Sequence, residues 1–441
     1  MIEGVPVGVA GFAGVAPYGP VDEARLVTTV EEFATVYGAG GGVGGEGEGE
    51  ASDSDGGRPH YLAEAVGAFF VNGGRRLYVS RIGHGLAAAL EALAAVDEIS
   101  MVAAPGMADA SSDLIAHAER TGCFALIDAP AGTSVDDVRR FRARFDSGHA
   151  AIHHPWIVVG GAALPPSGFV AGVYARGDLE RGVPKPSTGD AVRGAAALES
   201  VVEDSERALL NDDGVNVLRP IEDEGIRIWG ARTMSSDPEW KYVNIRRYLI
   251  FLEHSIDKGT QWAVFEPNGE ELWARVRQAV EEFLSGQWHF GALRGRRPEE
   301  AFFVRCDPTT MTQDDIDGGR LVAMIGVGPV AAGRVRDRPD RPVDGGPAVP
   351  VGPQDRPGCS VGVRTGFADP ATGRSAGRTR RRSPPACRSR TGSPRRWWAV
   401  TSAGAWSAAG GTSAVASSAV GRSAGASSAG ASSAVAGRWG W

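Results

Sequence analysis

Three groupings in the 441-residue chain have residue types that could do chemistry. His153-His154, followed by Pro155-Trp156, offers two imidazoles, the side chain most often found on protein-bound metals. Asp128 closes an apolar stretch, a position from which a carboxylate could hold Mg²⁺; with the two histidines it would outline an α/β metal-dependent hydrolase. Asp314, Asp315 and Asp317 lie close enough together to suggest a calcium loop. Each grouping also has a plainer reading. Consecutive residues on a strand point to opposite faces, so His153 and His154 cannot clasp one ion without a bulge. No phosphate-binding loop precedes Asp128, and capping a loop is the expected role. The aspartates lack the alternation and closing glutamate that a calcium loop requires, and Thr312 with Asp315 reads as a helix capping box.

The remaining reactive residues add no centre. Four cysteines are scattered singly: Cys123 and Cys306 fall in apolar, strand-like contexts, and Cys359 and Cys387 have no metal-ligand spacing. The glycines from Gly38 to Gly57 are interleaved with Glu46, Glu48, Glu50, Asp53 and Asp55, so they read as a solvated acidic loop and not as a phosphate cradle. No catalytic residue, cofactor or metal is therefore assigned. The N-terminus carries Glu3 and no basic segment, and no uncharged apolar run reaches membrane-spanning length, so a chain made and folded in the cytoplasm is expected.

Charge divides the chain in two. The net charge is −7, but residues 331 to 441 hold 17 Arg and 5 Asp, or +12, which leaves −7 − 12 = −19 for residues 1 to 330. The final segment also lacks Lys, Glu, Leu, Ile, Met, Asn, Tyr and His. Such a segment cannot bury enough apolar surface to order itself. Its arginines, Arg378 to Arg382, Arg395 and Arg396, beside Trp397-Trp398, admit a second function class, nucleic-acid binding through charge and stacking.

The elements that must carry these residues follow from periodicity. Strands are expected at Val5 to Phe12, Leu77 to Ile82, Ile99 to Ala103, Phe124 to Ile127, Ala151 to Val159, Val215 to Arg219 and Ile226 to Trp229. Helices are expected from an N-cap at Thr28 with Glu31, over Tyr61 to Val71, Ser112 to Arg120, Ser134 to Phe145 and Gly168 to Arg176, and within Ala191 to Leu210. From Gly225 to Trp288 the pattern becomes a two-layer core unit. Asp237-Pro238 opens a helix striped by Ile245, Leu249 and Leu252 and closed at Lys258-Gly259. A strand over Gln261 to Phe265 follows, then a helix striped by Leu272, Val276, Val280, Phe283 and Leu284. Strands at Ala301 to Cys306 and Arg320 to Val327 close the pattern. The fold class is mixed α+β and α/β with several domains.

The stretch WGARTMSSDPEWKYVNIRRY, with EHSIDKGTQWAVFEPN, LWARVR and TMTQDDIDGGRL, closely resembles the tail sheath proteins of contractile phages and related injection systems. VTTVEEFATVYGA, YLAEAVGAFFVNGGRRLYVSRI, HHPWIVV and PPSGFVAGVYAR extend the resemblance, in order, over roughly residues 4 to 330. The resemblance implies a structural subunit: hexameric rings stack helically around an inner tail tube on a baseplate, and the lattice shortens to drive the tube through a target envelope. It implies no enzyme activity and no nucleotide, since the energy is stored during assembly. It also implies a tail-sheath fold divided as residues 1–98, the N-terminal part of the sheath core; 99–220, an inserted and more exposed α/β domain; 221–328, the C-terminal sheath core domain; and 329–441, the arginine-rich tail.

Family members join their neighbours by β-augmentation, strands supplied by terminal arms. The segments nearest those arms nominate Val5, Val7, Val9, Phe12, Leu321, Ala323 and Ile325 as inter-subunit residues. Charged helices face the tube in such assemblies, and Arg275, Arg277, Glu281 and Glu282 are nominated for that face. The chain departs from the family pattern at both ends. Its upstream arm is expected to be missing, and Arg334-Val335-Arg336-Asp337-Arg338-Pro339-Asp340-Arg341 stands where the family's ending resembles Pro-Ala-Glu-Phe-Val-Ile-x-Arg-Ile. Codons compatible with that stretch, read one base out of frame, encode Glu-Phe-Val-Ile-Val-Arg-Ile. A frameshift from about residue 328 is therefore expected, and the nucleotide sequence decides it. With both arms absent or altered, the chain as written is expected to stay monomeric or aggregate without forming sheath.

Overall fold

The computed structural model describes residues 2–38, 60–330, 397–401 and 405–409. Most of the acidic glycine run, Cys359, Cys387, Arg334 to Arg341 and Arg378 to Arg396 lie outside the described residues.

In chain order the first part comprises β1 (Val9–Gly14), β2 (Ala24–Val27), α1 (Val30–Tyr37), α2 (Leu62–Val71), β3 (Arg76–Arg81), α3 (Leu86–Ala94), β4 (Met101–Ala103), α4 (Ser111–Thr121), β5 (Phe124–Asp128) and α5 (Val135–Arg142). Then come β6 (Ala150–His154), β7 (Ile157–Val159), β8 (Ala162–Leu164), α6 (Pro166–Arg181), β9 (Ala197–Leu198), α7 (Asp204–Asp212), β10 (Val215–Ile221) and β11 (Gly225–Trp229). Eight of these strands form one sheet in the order β11-β10-β6-β5-β4-β1-β3-β2. The six inner strands are parallel and the two outer ones antiparallel. Both faces are covered, as parallel sheets require. Ala10 and Phe12 point into the core under α2 and α6, and Val9 and Ala13 into the core under α3 and α4. The expected boundary between residues 98 and 99 falls inside this sheet, because β3 and β4 flank the same strand, β1.

Local chemistry sets the ends of several elements. Thr29, one residue beyond the expected cap, accepts from Glu32 N–H at 3.1 Å, while the Glu32 carboxylate takes both Thr28 N–H and Thr28 hydroxyl. Pro166 opens α6, where a missing N–H costs nothing. Gly168 and Gly172 let α6 lie directly on α2: a Cβ at Gly172 would sit 2.4 Å from the Phe69 carbonyl oxygen. The long strand expected over Ala151 to Val159 is broken at Pro155, which cannot donate to a ladder; β7 instead joins a three-stranded sheet, β8-β7-β9. Of the helix expected within Ala191 to Leu210 only α7 forms, because residues before it hydrogen-bond along β11, Val192 N–H donating to Ile226 and Asp190 accepting from Ile228.

The second part comprises α8 (Val243–Thr260), α9 (Glu270–His289), α10 (Pro298–Ala301), β12 (Phe302–Arg305), α11 (Gln313–Asp317) and β13 (Met324–Val327). Its separate core is built from the expected stripes of α8 and α9 with Leu321, Ala323 and Ile325. Asp237 caps a short 3₁₀ turn, Pro238–Trp240, ahead of α8. The strand expected over Gln261 to Phe265 is a 3₁₀ turn instead. No described strand pairs with it, and an apolar run without a partner ladder has nothing to hold it extended. The capping box of Thr312 and Asp315 forms as expected. In the basic tail, β14 (Trp397–Thr401) and β15 (Ala405–Ala409) pair as an antiparallel hairpin.

Candidate functional site

Of the residues nominated for chemistry, Asp128, His153, His154, Asp315, Cys123 and Cys306 are buried and used for packing or capping, whereas Asp314 and Asp317 are exposed on the short helix α11. Asp128, at the end of β5, is buried and accepts from Gly106 N–H at 3.0 Å, Ser167 N–H at 2.9 Å and the Ser167 hydroxyl at 2.6 Å. Burial pushes its carboxyl up to about 6 against the opposing pull of those bonds. It thus caps α6 from a neighbouring strand, where the helix dipole favours an anion. His153 and His154 diverge as strand geometry dictates. His153 Nε2 lies 3.1 Å from the Tyr174 hydroxyl on α6, while His154 faces the α7 side near Glu206. Desolvation pushes them down to about 3 and about 4. Among the described residues no three His, Cys, Asp or Glu side chains converge on a point that could hold a metal. The thiols of Cys123 and Cys306 are buried and pushed up to about 12. Asp315 is held well below the usual carboxylate range by Thr312 and Arg320. Ligand crevices in such sheets open where the strand order reverses, beyond the carboxyl ends of the strands. Here Tyr61 packs over Gly106 at that end, stacked edge-on against the Trp156 ring at 5.1 Å.

The nominated assembly residues separate. Val9 and Phe12 lie in β1, hydrogen-bonded on one side to β3 and on the other to β4, and both are fully buried. A strand paired on both edges cannot accept another, so these two residues are corrected from inter-subunit contacts to core. An apolar run reads the same for a central parallel strand and for an exposed arm. Val5 and Val7 precede β1 in a half-buried segment that runs along α8: Val5 N–H donates to Ser255 Oγ at 3.1 Å, and Ile2 packs on Gly259. The side chains of Leu321, Ala323 and Ile325 are buried in the second core. The main chain of β13, however, pairs only with β12 among the described strands. Just past β13, Arg294 N–H donates to the Gly328 carbonyl at 2.7 Å and Val330 N–H to the Ala292 carbonyl at 3.1 Å. Along β12 and β13 themselves no further described strand is paired, which leaves edges to which strands could be added.

Arg275, Arg277, Glu281 and Glu282 all lie on the half of α9 turned away from its buried stripe, as two pairs. At about 100° per residue, Arg275 and Glu282 flank one side of the buried stripe of α9, and Arg277 and Glu281 the other. Arg275 is engaged locally, 3.1 Å from Glu266 and stacked over Trp262 at 4.7 Å.

Sequence reasoning missed the seam between the two parts. Arg247 on α8 makes a buried two-point pair with Asp178 on α6, at 3.0 and 2.5 Å, and stacks over Tyr174. Its neighbour Arg246 reaches His149 and lies 3.9 Å from Glu253, whose carboxyl burial raises to about 7. The available signal was two consecutive arginines inside a helix otherwise apolar enough to be buried.

The comparisons with known proteins point one way. A family model described as the phage tail sheath protein central domain matches residues 82–234, and one described as the phage tail sheath C-terminal domain matches residues 235–335. Together they span more than half of the chain. A putative prophage major tail sheath protein of Pseudomonas aeruginosa (strain UCBPP-PA14) is 29% identical over 216 residues, 46% of this chain and 54% of that protein. The chain thus spans about half the length of the curated relatives it matches. Among solved structures, the helical sheath of the anti-feeding prophage in its contracted state is similar at a TM-score of 0.63 and 27% identity, over 77% of this chain and 94% of that one. The sheath complex of an extracellular contractile injection system in its contracted state gives 0.64 and 26%, over 75% and 91%. Nothing in these similarities supports a hydrolase or a nucleic-acid binder.

Proposed function

We propose, from the premise that this chain belongs to the phage tail sheath family, that it is the subunit of a contractile sheath. Copies polymerise around an inner tube, and the lattice contracts to drive that tube through a target envelope. The observation that carries the reading is the consecutive match of both sheath domains over residues 82–335, joined to a fold whose would-be reactive groups are spent on packing. The partners are other sheath subunits in hexameric rings stacked as a helix, the inner tail tube protein and the baseplate. The chain is made in the cytoplasm of the producing cell and becomes part of a phage tail or tail-like particle. No helix among the described residues is long and apolar enough to cross a membrane.

The mechanism is one of packing. An open helical assembly needs heterologous contacts that repeat without closing. Contraction needs two arrangements of one folded subunit, the first kinetically trapped. The unpaired edges of β12 and β13 supply main-chain donors and acceptors for neighbouring strands, which bind whatever the side chains. No bond-making step, nucleotide or metal enters. Within the subunit, the chain through β11 acts as one sheet-based body, and the chain from α8 to β13 as the C-terminal sheath core. Electron microscopy of particles from producing cells tests the reading. Deleting the gene should leave inner tubes without sheath, restored by the gene in trans; sheathed particles from the deletion strain would overturn it.

A further inference from the structure

The two ends of α9 carry opposite charge and an exposed aromatic each. From Val264 to Trp273 the chain holds Glu266, Glu270 and Glu271 and no basic residue, and Phe265 is 90% exposed. From Ser285 to Pro298 it holds His289, Arg294, Arg296 and Arg297 and no acidic residue, and Phe290 is 64% exposed. Glu266 is engaged with Arg275. Glu270 and Glu271, and the side chains of Arg294, Arg296 and Arg297, take part in no ion pair among the described residues. Glu299 and Glu300 follow the basic segment, and the Glu300 carboxylate is occupied by Arg296 N–H at 2.9 Å. The 20 residues of α9 hold the two ends roughly 30 Å apart at about 1.5 Å per residue. They cannot meet within one chain.

We infer that these ends meet between copies: the segment Arg294–Arg297 of one subunit docks on Phe265, Glu270 and Glu271 of the next. This rests on the sheath reading and names a side-chain contact for it, separate from strand addition. The occupant is a second copy because the patches are unlike and complementary, which is the form a heterologous contact takes when it repeats without closing. Guanidinium groups match the acidic end in two ways, pairing with the carboxylates and stacking on the Phe265 ring. Arginine and aromatic anchors are the residues that carry interface energy out of proportion to area. In a body of net charge −19 over residues 1–330, this pairing also offsets repulsion between neighbours and fixes their polarity along the stack. Glu270 and Glu271 lie in the first turn of α9 and favour its dipole, so the test must separate that effect from docking.

Charge exchange does so. The full chain, produced with its inner tube and baseplate proteins, is compared with E270R/E271R, with R296E/R297E and with the variant carrying all four changes. Sheath yield is read by sedimentation and electron microscopy, and folding by thermal unfolding of each purified chain. Each pairwise reversal should cut sheath yield at least tenfold, and the fourfold variant should recover most of it, since every altered end again meets a complementary one. Unchanged yields in the pairwise variants, or a fourfold variant as defective as either pair while still folded, would overturn the inference. Sheath that forms normally in E270R/E271R but detaches from the tube would also overturn it, by assigning this end to the tube. If the unaltered chain forms no sheath, as its altered ends lead one to expect, the same variants are compared with the family's C-terminal arm restored; no sheath from that restored chain would overturn the functional reading itself, and this contact with it.

Discussion

β1, the first strand of the first part, and β13, the last strand of the second, are both short and apolar, yet they occupy opposite situations. β1 is the sixth of eight strands, laddered on both edges, with Ala10 and Phe12 in one core and Val9 and Ala13 in another. β13 belongs to a two-stranded pair with unpaired edges. The capacity to take a strand from a neighbour thus depends on what lies beside a segment. Apolarity alone, which the two share, does not confer it. The same contrast runs through the two bodies: one closes its sheet between helix layers, the other leaves its small sheet open.

The comparison can be broken by mutation, starting with the largest effect. Phe12→Ala should remove about 4 kcal/mol, within the 3–5 seen for buried aromatics, measured as the loss in chemical denaturation. A cost under about 1 kcal/mol would mean that β1 is not central. Next is the seam joining the bodies. Asp178→Ala leaves the Arg247 guanidinium buried and unpaired and should cost about 3 kcal/mol, whereas Asp178→Leu with Arg247→Met should fall within about 1 kcal/mol of the parent. Equal losses in both would assign the effect to volume and not to charge.

A pH experiment sharpens the account of the closed body. Burial raises the Asp128 carboxyl to about 6, so the folded state holds a proton there that the unfolded chain has released. Stability from this group is fully present below about pH 4 and is lost as pH rises to about 6, a change of about 2–3 kcal/mol. Asp128→Asn should remove this slope, so that the difference between parent and variant unfolding energies changes by about 2–3 kcal/mol over that window; a difference that stays constant with pH would contradict the assignment. The smallest effects are the caps. Thr29→Ala and Thr312→Ala, one in each body, should each cost about 1 kcal/mol in thermal unfolding.

Much of this was legible in the sequence where local chemistry decides. The stripes of α8 and α9, the Thr312 capping box, the parallel strands around Phe124 to Ile127 and the divergence of His153 and His154 all follow from spacing. What was not legible depended on distant neighbours. Gln261 to Phe265 has strand character but no ladder beside it. Ala151 to Val159 is split by Pro155, and part of the expected helix before α7 lies along β11 instead. The assignment of Val9 and Phe12 failed for the same reason, since a sheet's edge is set by strand order, which no single segment encodes. Helical periodicity does place Arg275, Arg277, Glu281 and Glu282 on the half of α9 away from its buried stripe.

The central claim is that copies of this chain are joined by strands added to β12 and β13. The most direct test is a cryo-electron microscopy map of the assembled particle at side-chain resolution. The account predicts that segments from neighbouring subunits extend the β12-β13 pair into a larger sheet while β1 keeps its two intrachain partners. A helical stack in which β12 and β13 remain a two-stranded pair with open edges would contradict it.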